Sequence, residues 1–168
     1  MAFTGRELRS RIDSDGTLSL TLEPVEIGDP GDDEIIVRVE AAPINPSDLG
    51  LLLGPADLST LERTVGNGAP ALTFRIPQPR LGAVQGRLGQ SLPVGNEGAG
   101  KVVAAGRDAH ALLGARVGMI GGGMYADYRL IKAWEVVELP KGATSAQGAA
   151  MFVNPLTALG FVETARIE

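Results

Sequence analysis

The chain is predicted to be mainly β, a run of strands and turns followed by two helices. Leu18, Leu20 and Leu22 alternate with Ser19, Thr21 and Glu23, the period of a strand buried on one face. Ile35, Ile36, Val37 and Val39 form a dense β-branched run that Pro43 and Pro46 bring to an end. Glycine and proline number 23 and 11 in 168 residues. That frequency suits closely spaced turns better than a helix bundle.

Residues 6–12 and 17–23 read as a first pair of strands about the turn Ser14-Asp15-Gly16. Asp29-Pro30-Gly31-Asp32-Asp33 then turns the chain into a strand over Glu34–Ala42. From 50 to 93 the pattern weakens. Residues 57–63 read as a short helix capped by Asp57 or Ser59. From Gly66 to Gln90, glycine, proline, arginine and glutamine interrupt the apolar residues. So long a connection reads either as a functional loop or lid, or as a surface insertion.

Further strands are expected over 99–105, 115–120 and 125–131, with a polar, turn-like connector at 107–113. Tyr125 and Tyr128 fall on the last of these and are read as sharing one face. Residues 136–139 are short and extended. Thr144 or Ser145 caps a helix through Met151, and Asn154-Pro155 opens a second, with asparagine as cap and proline at the first position. Leu156, Leu159, Phe161, Val162 and Ala165 mark its apolar side.

Composition narrows the function. Hydrophobic residues make up 44% of the chain but aromatics only 4%, so the core is aliphatic. The net charge of −5 and the lack of a basic stripe argue against nucleic acid and anionic membrane surfaces. There is no cysteine, hence no disulfide and no thiolate metal site. No apolar stretch has the length of a signal peptide or a membrane span, which makes a cytoplasmic protein the expectation. No glycine-rich phosphate loop of the dinucleotide-binding type is present.

Three segments carry the chemistry. The first is Ala42-Pro43-Ile44-Asn45-Pro46-Ser47-Asp48-Leu49, a loop whose two prolines hold its polar side chains. A plain turn explains the same residues. The second is Val94-Gly95-Asn96-Glu97-Gly98-Ala99-Gly100-Lys101-Val102-Val103-Ala104-Ala105-Gly106. Its glycines let the backbone come close to another element, and Glu97 sits between two of them. The third is Gly121-Gly122-Gly123-Met124-Tyr125-Ala126-Asp127-Tyr128. A fourth motif, Val153-Asn154-Pro155-Leu156-Thr157-Ala158-Leu159, reads on its own as a capped helix start, whose backbone donors suit anionic or carbonyl groups.

In this order the segments resemble the catalytic domain of the medium-chain dehydrogenases and reductases, closest to the zinc-free NADPH:quinone oxidoreductase branch. The resemblance implies a GroES-like, partly closed β-barrel with C-terminal helices leading to a Rossmann domain that these 168 residues do not contain. It implies a GroES-like domain over 1–143, with 50–93 as a long loop or insertion, and a helical junction over 144–168. It implies NADPH as cofactor and hydride transfer to a quinone, an enone or a related carbonyl compound. Asn45, Asn154 and Thr157 would then meet the cofactor, and Ser47, Asp48, Asn96 and Tyr125 would line the substrate cleft.

Zinc is not expected. A catalytic zinc takes three ligands from Cys, His, Asp and Glu. Where zinc-dependent members of the family carry ligands, this chain resembles them in position but holds Asn45 and Asn96. Its single histidine, His110, lies in the polar connector. The 2-enoyl thioester reductases share the Gly-Asn-Glu-Gly and Asn-Pro-x-Thr-Ala features. They also carry a catalytic tyrosine shortly after the first loop, where this chain has Gly54-Pro55-Ala56. No catalytic proton donor is assigned. The 168 residues alone are expected to be inactive as a reductase. The partners expected are a small-molecule substrate and either a second copy or a separate chain supplying the Rossmann half. The alternative reading is a non-catalytic GroES-like binding or assembly module, or one half of a split reductase.

Overall fold

The structure, a computed structural model, describes residues 2–66 and 69–167; the side chains of 64–66, 69 and 70 are not described. Strands β1 (Phe3–Ile12) and β2 (Thr17–Ile27) form an antiparallel pair in register from Phe3 opposite Ile27 to Ile12 opposite Leu18. Strand β3 (Glu34–Ala41) follows, then the short helix α1 (Pro46–Leu52). Strands β4 (Asp57–Gly66) and β5 (Ala69–Arg75) pair antiparallel, and a 3-10 stretch at Gln78–Arg87 leads to β6 (Ser91–Pro93). Then come β7 (Glu97–Ala105), β8 (Arg116–Ile120), β9 (Tyr128–Lys132) and β10 (Val136–Glu138). Helices α2 (Ser145–Ala149) and α3 (Val153–Ile167) complete the described chain.

The strands form two five-stranded antiparallel sheets, ordered β4-β5-β2-β1-β6 and β10-β8-β7-β3-β9. They do not close into one barrel. They are stitched along one side by residues 125–127: Leu8 N donates to Tyr125 O (2.8 Å), Asp127 N to Arg6 O (2.8 Å) and Val39 N to Asp127 O (3.0 Å). The strand expected over 125–131 is therefore shorter. Its first residues bridge to β1, and only 128–132 run along β3. The two tyrosines do not share a face: a separation of three residues is odd, and side chains on a strand alternate. Tyr128 packs its ring on Phe3, whereas Tyr125 turns to the loop before α1.

Each sheet has its own core. Ile12, Leu18, Phe74, Ile76 and Val94 form one; Ile35, Val37, Val102, Val117, Met119 and Ile131 form the other. A third small cluster, Ala99, Leu139 and Ala149, seats α2 on β7. Thr144 caps α2 as its sequence suggests, its hydroxyl accepting from Gln147 N at 3.2 Å.

The helix expected over 57–63 is a strand. Leu58 and Leu61 have helical spacing but are exposed, so no apolar face pulls them into a helix. The Asp57 carboxylate instead accepts from Ser59 N (3.0 Å) and Ser59 Oγ (2.7 Å), and Thr60 Oγ1 accepts from Arg75 N (2.8 Å). Such local bonds compete with a helix, and the irregular pairing between Asp57 and Glu62 absorbs them. Most of the unreadable 66–90 stretch is likewise ordered, as β5 and the 3-10 segment; its Asn67 and Gly68 lie outside the described residues.

Helix α3 stands apart from both cores. None of its described residues is buried, and Leu156, Leu159, Phe161 and Val162 are all exposed, Phe161 at 72%. Among the described residues, no helix is long and apolar enough to cross a membrane.

Candidate functional site

The site begins with the turn that ends β3. Asn45 precedes α1 in an extended conformation, and its backbone N–H donates to Asp48 Oδ2 at 2.7 Å. This is one half of a capping box. The other oxygen, Asp48 Oδ1, accepts from Asn96 N at 2.9 Å. One carboxylate thus ties the start of α1 to the turn before β7. Asp48 is 2% exposed, so both bonds are made without competing water.

Gly95 lets the turn before β7 pack against Tyr125. Its φ of 97° lies in the left-handed region, and a Cβ there would lie 2.7 Å from Tyr125 Cδ1 and 2.8 Å from Tyr125 N. The sequence expectation that this segment lets backbones approach closely is met at this residue.

The side chain of Asn45, 2% exposed, turns the other way. Its Nδ2 donates to Glu97 Oε1 at 2.9 Å, and its Oδ1 accepts from Asn154 Nδ2 at 2.9 Å. Glu97, 1% exposed, uses its second oxygen to accept from the backbone N–H groups of Phe152 (2.9 Å) and Val153 (3.0 Å). A buried carboxylate therefore caps α3, where the orphan N–H groups and the helix dipole favour negative charge.

This corrects two expectations. Asn154 does not cap α3; the helix starts at Val153, and Glu97 takes the cap's place. Two of the backbone donors at that helix start, Phe152 N and Val153 N, are also not open to an anion, because Glu97 already holds them.

Structure thus brings Asn45, Asp48, Asn96 and Asn154 into one network, with Ser47 at its edge, where Asn96 Nδ2 donates to Ser47 Oγ at 2.9 Å. Thr157 is not drawn in. It is exposed, and its hydroxyl donates back along the helix to Val153 O at 2.6 Å. His110 is exposed on the connector. Glu97 is the member that sequence reading left out of the site. The available signal was a lone carboxylate between two glycines at the head of a strand that is otherwise apolar or small.

Tyr125 OH donates to Pro43 O at 2.8 Å, beside Asp48. Burial, then the Asp48 negative charge, pushes the phenol above its ordinary value of 10.0. The sign follows from the fold favouring the neutral phenol. Stability from this group is fully present below pH 10 and falls as pH rises past the unfolded tyrosine's titration. Tyr125→Phe is expected to cost about 1 kcal/mol near neutrality by orphaning Pro43 O, and to flatten the alkaline decline. Urea unfolding of both proteins at neutral pH and above pH 10 checks this; equal alkaline slopes would rule it out.

A depression of about 270 Å³ between the sheets is lined by Tyr125 with Met124, Val39 and Ala42, and does not include Asn45 or Glu97. Among the described residues, no group of three or more His, Cys, Asp or Glu is placed to hold a metal ion.

Two open antiparallel sheets, with a polar junction at the head of a protruding helix, define the N-terminal domain of a medium-chain dehydrogenase/reductase. The chain belongs to the alcohol dehydrogenase GroES-like domain family, whose pattern matches residues 31–141. A protein from Bacillus thuringiensis assigned as an NADPH:quinone reductase is 26% identical, with a TM-score of 0.64; the match covers 94% of this chain and 40% of that one. A mutant enoyl thioester reductase from Candida tropicalis shares the fold at 24% identity and a TM-score of 0.61, covering 94% of this chain and 42% of that one. The highly reducing polyketide synthase Preu5 of Preussia isomera is 28% identical over 142 residues, 82% of this chain and 4% of that protein. The chain thus spans less than half of these structures and a small part of the synthase.

Proposed function

We propose that the chain is the catalytic-domain portion of an oxidoreductase that passes hydride from NADPH to a quinone, an enone or a related carbonyl compound, without zinc. One observation carries the reading: Asn45 stands between Glu97 and Asn154 at the foot of α3, with both ends of its amide engaged. By the family resemblance, zinc-dependent members would carry a cysteine ligand at the Asn45 position; a neutral amide held in this way is a poor substitute. Asn96 donates one amide hydrogen to Ser47 and is no better placed.

NADPH would supply the hydride when bound. Asn154 at the exposed end of the network, Asn45 beneath it and Thr157 further along α3 would meet its nicotinamide end, as the family resemblance implies. Glu97 already holds Phe152 N and Val153 N at the α3 start, and the nucleotide half of the cofactor would fall to a Rossmann domain that these residues do not contain. On the substrate side, the Ser47 hydroxyl accepts from Asn96 and keeps its own proton to offer to a carbonyl oxygen. Asp48 holds the loop from below.

A second reading draws support from the exposed apolar residues of α3. The chain would then be half of a split reductase, or a binding module, with a second copy or another polypeptide covering that helix. Light scattering and co-purification separate these readings.

The 168 residues alone are expected to consume no NADPH with quinones or enones. Joined to a nucleotide-binding half, in one polypeptide or two, they are expected to turn over with far less than one zinc per chain. Turnover by the isolated chain would overturn the division of labour. Stoichiometric zinc after dialysis would overturn the metal-free mechanism.

A further inference from the structure

We propose that Glu97 is a positioning residue that sets the polarity of Asn154, turning its Oδ1 acceptor outward to a bound ligand. Three side chains make up the relay. An ionised carboxylate only accepts hydrogen bonds. Glu97 Oε2 is held by Phe152 N and Val153 N, so Oε1 is the atom left for Asn45, and Asn45 must present its Nδ2. Its Oδ1 is then turned to Asn154, which must in turn present Nδ2. The orientation of an amide side chain is ordinarily ambiguous. Here the carboxylate at the head of the row settles both amides in sequence.

The consequence appears at the exposed end. Asn154 has committed one of its two Nδ2 protons inward, and among the described residues its Oδ1 accepts no hydrogen bond. A group that binds against this oxygen brings an N–H or O–H donor, as a primary carboxamide can. That last step rests on the cleft reading proposed above. The relay from Glu97 to Asn154 does not, because it belongs to the ligand-free chain.

Exchanging Glu97 for glutamine tests the relay by reversing it. In Glu97→Gln the two backbone N–H groups still demand an oxygen, so the new amide gives them its Oε1 and turns its NH₂ to Asn45. Asn45 then turns Oδ1 inward and Nδ2 outward, and Asn154 follows, presenting its own NH₂ to solvent. Adding Asn45→Asp restores the original polarity. The carboxylate introduced at position 45 accepts from the glutamine NH₂ on one side and from Asn154 Nδ2 on the other, with net charge unchanged from the wild type.

The readout is the water-exchange rate of the Asn154 side-chain amide protons by NMR, with the backbone amides of Phe152 and Val153 as an internal reference. The wild type is expected to protect the bonded Asn154 proton. Glu97→Gln is expected to raise its exchange roughly fivefold to tenfold, the loss of one part-buried hydrogen bond, while Phe152 and Val153 stay protected. The double variant is expected to return to the wild-type rate. A purely structural tie would instead loosen Phe152 and Val153 together with Asn154 and would not be rescued by the swap; that result overturns the proposal. So does an Asn154 rate unchanged by Glu97→Gln. If the single variant does not fold, the wild-type measurement still decides, since an unprotected Asn154 amide in the native chain means that no relay exists. Titration of nicotinamide as a carboxamide probe into the same samples tests the cleft reading separately.

Discussion

Gly100→Ala is expected to destabilise the domain by about 3 kcal/mol or more, because it forces two central strands apart. Gly100 lies on β7 opposite Val39 of β3. A Cβ at this position would fall within the van der Waals envelope of the Arg38 carbonyl oxygen, 2.8 Å from Arg38 C and 2.9 Å from Val39 Cα. These are backbone atoms of the strand that pairs with both β7 and β9, so no side chain can rotate away. Relief requires β3 to move, and Ile35, Ile36 and Val37, all fully buried, move with it. For a chain of this size the melting temperature should fall by roughly 6–12 °C. Gly50→Ala is the matched control. Gly50 is exposed on α1, has open space around its Cβ position and carries no positive φ. That change should be neutral or stabilising by up to about 1 kcal/mol. If both variants melt together, the close approach at Gly100 is wrong.

Gly100 also shows which parts of the fold could be read from sequence. The β-branched run at 35–39 announced a strand and the glycines of 95–106 a close approach of backbones; that β3 and β7 are the two that meet is shown only by the structure. Their residues decide their structure locally, by period, branching and missing Cβ atoms. Residues 57–75 could not be read in the same way. Leu58, Leu61 and Leu72 stay exposed, so the hydrophobic pattern carries no information about the face they occupy. What makes β4 a strand is its pairing with β5, a partner that periodicity does not reveal.

The candidate site divides along the same line. The Asn45–Asp48 loop was legible as a held turn because prolines are local signals, but the helix α1 that it opens and the Asp48 capping box were not read from the sequence. The link from Asn45 to Glu97 spans 52 residues, and the link to Asn154 spans 109. No period joins them. The segment order supplied the neighbourhood through its resemblance to a family, but it did not say that Glu97, rather than Asn154, would cap α3. That choice follows from burial: a carboxylate that must lose its water shell needs several donors. Two backbone N–H groups and an amide supply them.

Asp48→Asn is expected to cost about 2–3 kcal/mol, although it removes only a charge and almost no volume. Each Asp48 oxygen accepts from a different backbone N–H, Asn45 at 2.7 Å and Asn96 at 2.9 Å. An asparagine can serve only one of them and turns its own N–H₂ toward the other, setting donor against donor at a position 2% exposed. Relief from burying a carboxylate offsets part of this loss, which is why the figure stays below that for two lost charge-assisted bonds. Asp48→Ala, which strands both donors, should cost still more. The two variants also differ from an ordinary core defect in what they do to Tyr125. Its phenol is pushed up partly by the Asp48 charge, so neutralising residue 48 should bring its titration back toward the ordinary value. Urea unfolding gives the first quantity, and phenolate absorbance against pH gives the second. A loss of stability with an unmoved tyrosine would mean that Asp48 supports the loop without acting on Tyr125. An Asp48→Asn protein as stable as the parent would mean that the buried charge is not what joins α1 to β7.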